Sequence, residues 1–132
     1  MDYTMPVTKE MAYARSTIRA STKDSHIICK KVSRWQFEKA KAFIAGLAAE
    51  TADIDGKHYT GAAEKIMVML NSLEANARRK GLEPEKMIIY MSAHQGPNMM
   101  RSRRKRMFGS KMKITHVHAI LKAKKNEGKT DN

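Results

Sequence analysis

The sequence predicts an α+β fold, and three observations carry that prediction. Three segments between residues 22 and 79 place apolar residues at helical spacing. Three short runs, 12–20, 87–94 and 114–121, alternate or stay apolar as strands do. The last two runs flank a stretch, Lys86 to Asn126, that holds eleven Lys and Arg and no Asp or Glu. The reading is a helical body gripping two strands that carry a long cationic arm.

A chain of 132 residues suits one domain, here taken as residues 1–132. Residues 1–11 form a polar lead-in with Pro6, 95–113 the arm, and 123–132 a basic and polar tail. The net charge is +13, and most of it lies in the acid-free stretch. A surface that repels itself so strongly has a polyanion to meet, and nucleic acid is the default partner. No run of 18 apolar residues suggests a membrane span, and the first residues lack the cationic start and apolar core of a secretory leader. The single Cys29 has no internal partner, so a reducing cytoplasm is expected.

Taken in order, residues 12–20 read as an edge strand with Arg15 and Arg19 placed for phosphate or for solvent. Ser21-Thr22-Lys23-Asp24 is a capping box, and a helix should follow to about Val32 with Ile28, Cys29 and Val32 inward. Lys30 and Lys31 end it, where the helix dipole favours cations and where phosphate could also be met. Ser33-Arg34-Trp35-Gln36 reads as a second box, with Val32 and Phe37 as a staple, so the second helix should start at Ser33 and stop near Glu50. Trp35 is expected to wedge between helices rather than to stack on a base. Asp55-Gly56 marks a turn in the loop 51–59, and Thr60 is the expected cap of the third helix. Ala62, Ala63, Ile66, Met67, Leu70, Leu73 and Ala77 make its stripe, and Arg78-Arg79-Lys80-Gly81 its end. Met67 and Met69 are core filler. In the next strand Met87, Ile89, Met91 and Ala93 share one face; in the return strand Val117, Ala119 and Leu121 do. A structureless loop between these strands would be uncommonly long. A paired arm with nine residues per limb would reach on the order of 30 Å, at ~3.3 Å per residue.

Catalytic chemistry is not suggested. His94, His116, His118 and Cys29 lack the spacing of a structural zinc site, so no metal is expected. The glycines are isolated, so no phosphate loop is present to hold a nucleotide, and no cofactor is expected. Paired carboxylates for Mg²⁺ are absent from the cationic half. The residues favour a binding protein over an enzyme.

At this point a family resemblance emerges. Ala12, Ala14, Arg19, Ser21 and Lys23, with Cys29 following, resemble the first strand and helix of the large-subunit ribosomal protein L twenty-two family, in its archaeal and eukaryotic form. His58-Tyr59 before Ala62-Ala63-Glu64 resembles the entry to its long helix, and Asn76-Ala77 before Gly81-Leu82 the exit. His94-Gln95-Gly96-Pro97 resembles its hairpin base, Arg106-Met107-Phe108-Gly109 the tip, and Thr115-His116 with Val117 and Leu121 the return. The likeness spans about residues 12–122. Departures include Thr60-Gly61 where a proline is usual, Lys105-Arg106 near the tip, and a short return limb.

The resemblance implies three helices packed on a small three-stranded antiparallel sheet with a long protruding β-hairpin. It implies a structural constituent of the large ribosomal subunit, bound to large-subunit rRNA and to neighbouring ribosomal proteins, that supports assembly and translation. The hairpin would reach the nascent-peptide exit tunnel and meet the nascent polypeptide there. No membrane and no stable homo-oligomer are expected. RNA contacts are expected on the body from Arg15, Arg19, Lys23, Lys30, Lys31, Arg34, Lys57 and His58, and on the arm from Arg101, Arg103, Arg104, Lys105, Arg106, Lys111 and Lys113. Tunnel-lining candidates are Arg103, Arg104, Lys105, Arg106, Met107 and Phe108. Met99 and Met100 would wedge against bases or pack across the arm. The alternative is a non-ribosomal RNA-binding or RNA-chaperone module.

Overall fold

The computed structural model describes residues 9–103, 106 and 108–123. The elements run β1 (Ala12–Ile18), α1 (Thr22–Val32), α2 (Phe37–Ala48), α3 (Thr60–Arg79), a short 3₁₀ turn (Pro84–Lys86), β2 (Met87–Gln95) and β3 (Thr115–Ala123). The fold is α+β, with three helices and one antiparallel sheet in the order β1-β3-β2.

The sheet obeys the two-residue alternation of its strands. One face carries the rows Ala12–Leu121–Ile89, Ala14–Ala119–Met91 and Ser16–Val117–Ala93. All but Ser16 belong to the main core, together with Ile28, Phe37, Ile44, Leu47, Ile66, Leu70 and Leu73 from the helices. Helix α1 packs on β2, α3 on β1 and β3, and α2 on α3. The other face carries the rows Tyr13–Ile120–Tyr90, Arg15–His118–Ser92 and Thr17–His116–His94.

Helix α1 begins as its capping pattern predicts: Ser21 Oγ accepts from the Asp24 amide. The second box does not operate. Ser33 closes α1, its amide donating to the Cys29 carbonyl, and α2 starts only at Phe37 after Gln36. The physical reason lies in the sheet. The Arg34 amide donates to the Ile89 carbonyl at 2.7 Å, the Ile89 amide to the Trp35 carbonyl at 2.9 Å, and Gln36 bridges to Ile88. Residues 34–36 thus cover the outer edge of β2, which an N-cap at Ser33 would have left bare. Arg34 takes a left-handed conformation (φ 72°) to make that turn. Trp35 is half-buried against Phe43, ring centroids 5.2 Å apart, with Lys39 Nζ 4.7 Å from its ring.

Thr60 is likewise not the cap of α3. It is the first helical residue, behind Tyr59 in the left-handed region (φ 49°), and among the described residues no side chain caps the start. Asp55-Gly56 does form its turn, with both residues at positive φ and Ile54 and Lys57 exchanging backbone bonds. The far end of α3 closes by the paired bonds of a Schellman motif: Leu82 amide to Ala77 carbonyl, Gly81 amide to Arg78 carbonyl. Met69 is buried and Met67 partly so, both packed with the core. Side chains of α3 and its C-cap also cover the outer edge of β1 and its flanks: Lys65 donates to the Arg19 carbonyl just past the strand, Asn76 to that of Tyr13 within it, and Lys80 to that of Met11 just before it.

Between β2 and β3 the arm keeps its pairing but not a regular ladder. The Gly96 amide donates to the Ile114 carbonyl in the register of the sheet. Beyond it, Met112 amide to Met99 carbonyl, Arg101 amide to Ser110 carbonyl and the Met100–Lys111 bridge follow a register shifted by one. Pro97 and Asn98 on one limb thus face Lys113 alone on the other, which is a bulge. Pro97 has no amide to give, so the interruption falls where the ladder could not continue.

Candidate nucleic-acid interface

The site is best built outward from Gly96. A Cβ there would lie 2.8 Å from both Cγ2 and O of Ile114, so the two limbs touch at backbone distance. Thr115, fully buried, secures the return limb: its hydroxyl donates to the Ala20 carbonyl at 2.9 Å and so must accept from Thr22 Oγ1, also at 2.9 Å. The arm is therefore tied to the β1–α1 turn, which carries Arg19, and to the first turn of α1, which carries Lys23.

Around that base the fold gathers cations that are far apart in the chain. Lys23, Lys111 and Lys113 line a hollow with Gly96, Pro97 and Ile114. Arg19, Lys65, Arg101 and Lys113 line a second, of about 460 Å³, together with the first residues of α3. Lys30, Arg34, His26 and His94 line a third, of about 550 Å³. Lys65 was not foreseen; its position on the exposed side of α3, one turn from the start, was the available signal. Arg103 and Arg106 are exposed near the tip, and Arg15 is exposed on the outer face of the sheet. Arg104, Lys105 and Met107 lie outside the described residues, as does the tail from residue 124. Lys31 and Lys57 are exposed but join none of the three hollows. His58 is half-buried and engaged within its loop, its Nδ1–H donating to the Ala52 carbonyl at 2.7 Å.

Neutralisation is concentrated elsewhere. The ion pairs among the described residues join Glu74 to Lys41 and Arg78, Glu85 to Arg78, and Glu83 to Lys86, at the corner of α2, α3 and the 3₁₀ turn. Hydrogen bonds from Lys41 and Arg78 hold the Glu74 carboxyl below its usual range. These three glutamates are thus engaged away from the arm base.

The outer sheet face holds the histidines. His94 and His116 are direct cross-strand neighbours, and the rings of His94 and His118 meet edge to face at 5.2 Å. His116 Nδ1 lies 2.8 Å from Thr17 Oγ1. Burial lowers the His118 pKa, and the positive charge of His94, His116 and Arg15 lowers it further. Cys29 is buried, and burial pushes its thiol up to about 12, so it is no nucleophile at neutral pH. Among the described residues no group of three His, Cys, Asp or Glu is placed to hold a metal ion.

Large apolar side chains are exposed on the arm as well: Met99 at 50%, Met100 at 61% and Phe108 at 63%. Cations with interleaved apolar side chains on an acid-free projection suit RNA, whose phosphates take the charges and whose bases cover the rest. Fold and surface together define a basic α+β RNA-binding protein. The family model described as Ribosomal protein L22p/L17e matches residues 13–124, most of the chain, and the protein belongs to that family. No curated protein matches the chain closely enough to add to this. It is therefore a structural protein of the large ribosomal subunit in the cytoplasm, binding large-subunit rRNA beside neighbouring ribosomal proteins; the family is not one of enzymes.

Proposed function

We propose that the arm reaches toward the nascent-peptide exit tunnel and that the chain supports assembly of the large subunit. The observation that carries this reading is the pairing of exposed apolar side chains with cations on one projection. Met99, Met100 and Phe108 are each at least half exposed. Leaving such side chains in water forgoes about 1.5–3 kcal/mol apiece relative to full burial. RNA segments closing around the arm would recover part of that. Arg101, Arg103, Arg104, Lys105, Arg106, Lys111 and Lys113 would release counterions as they meet phosphates. Arg15, Arg19, Lys23, Lys30, Lys31 and Arg34 would anchor the body, with Lys57 and His58 at its margin. Arg103 to Phe108 are the residues proposed to face the tunnel and its nascent polypeptide.

The test replaces residues 98–112 by a short glycine linker. The body should remain folded, since its core holds none of these residues. Large subunits from cells carrying only this variant should accumulate as precursors. A photoreactive residue at position 108 should cross-link to a stalled nascent chain. Normal subunit profiles together with no cross-link to the nascent chain would sink the proposal.

A further inference from the structure

We infer that the hollow between the arm base and the start of α3 is a seat for one phosphodiester of the RNA backbone, and that filling it fastens the arm to the body. The inference rests on the RNA-binding reading above and adds a defined site to it. Four cations from four segments line this hollow: Arg19 beyond β1, Lys65 on α3, and Arg101 and Lys113 on opposite limbs of the arm. One carboxylate, Asp24, lines it with them. Bringing like charges together is unfavourable unless an anion joins them.

Arg101 supplies an independent sign. Its Nε–H is shut off from solvent and has no hydrogen-bond partner among the described residues. A guanidinium cannot shed its proton to relieve that, so this donor is unmet among the described residues, and an acceptor that drew the Arg101 side chain into the hollow would satisfy it. The start of α3 adds to the same place. Thr60, Gly61 and Ala62 line the hollow, and among the described residues no side chain caps their amides. A Cβ on Gly61 would meet nothing within 4 Å, so space stands open over this turn. Amides of an uncapped helix start favour an anion, but here it is the four side chains that select one with several acceptor oxygens. A phosphodiester offers them at a single charge, as RNA does at every step. Arg19 and Lys65 belong to the body and Arg101 and Lys113 to the arm, so one bound phosphate would link the two.

The experiment uses the full chain, isotope-labelled, with inorganic phosphate titrated at constant ionic strength, and then large-subunit rRNA transcribed in vitro. Phosphate should move the amides of Thr60, Gly61 and Ala62 and the Arg101 Nε–H resonance saturably. Gly61→Asp places a carboxylate in the seat from within, where a helix start tolerates it. That variant should melt no lower than the parent and lose the phosphate response. Its log–log salt slope for rRNA should be shallower by about 0.7–0.9, one phosphate contact. Arg101→Gln should also lose the response. Phosphate shifts scattered over all lysines and arginines without saturation, or an unchanged slope in Gly61→Asp, would overturn the seat. Saturable phosphate binding in a chain that does not bind rRNA would instead overturn RNA as the source of the phosphate.

Discussion

Replacing Gly96 by alanine should part the limbs of the arm at their base and leave the body folded. The new Cβ would stand 2.8 Å from Ile114 Cγ2, 2.8 Å from its carbonyl oxygen and 2.9 Å from its carbonyl carbon. The methyl group can rotate away, but the carbonyl cannot move without breaking its 2.9 Å bond from the Gly96 amide. Losing that bond costs about 1 kcal/mol, and the overlap costs about 1–3 kcal/mol if nothing yields. The limbs yield before the whole penalty is met, because beyond Gly96 their described backbone pairing amounts to two hydrogen bonds and a bridge. The expected local cost is about 2 kcal/mol, or roughly 30-fold in opening equilibrium. Amide hydrogen exchange reads this directly. The amides of residue 96, Arg101 and Met112 should exchange roughly 30-fold faster after correction for intrinsic rates, as that cost implies. Ile89 and Ala63, whose amides are bonded within the body, should keep their protection. Unchanged exchange at Arg101 and Met112 would refute the close contact. An equal loss at Ile89 and Ala63 would refute the separation of arm from body.

Two further outcomes follow from the core and the outer sheet face. Phe37→Ala should destabilise the body by about 3–5 kcal/mol, because Phe37 is 2% exposed and opens α2 against the core; a urea midpoint shift worth less than about 1.5 kcal/mol, below the usual cost of emptying such a site, would contradict that placement. His118 binds its proton less readily folded than unfolded, so the unfolded chain takes up more protons once pH falls below the ordinary histidine value of 6.5. Stability should be fully present above that value and decline beneath it. Urea midpoints taken between pH 7.5 and pH 5, a window of about the histidine range that stays above the carboxylates, should fall for the parent and stay flatter for His118→Gln; parallel profiles would remove His118 as the cause.

Patterns confined to a few neighbouring residues are legible in the sequence alone. The Ser21 cap, the Asp55-Gly56 turn, the glycine end of α3, and the inward faces of β2 and β3 each depend on contacts within one turn or on simple alternation. The likeness of residues 12–122 to the ribosomal family was legible too, and the family match over residues 13–124 agrees with it. The misplaced starts of α2 and α3 have a different origin. Ser33 and Thr60 carry the right side chains to cap a helix, but residues 34–36 are claimed by the edge of β2, and Tyr59 turns through the left-handed region instead. Those choices are made by partners more than fifty residues away or by the path of a loop, which local propensity does not encode. Nor could the charge count say which cations meet. Arg19, Lys65, Arg101 and Lys113 share one hollow only because Thr115 ties the return limb to the β1–α1 turn and α3 runs beside β1. Composition and local pattern made this a basic α+β chain with an arm; packing decided where the arm is anchored and which charges stand together at its root.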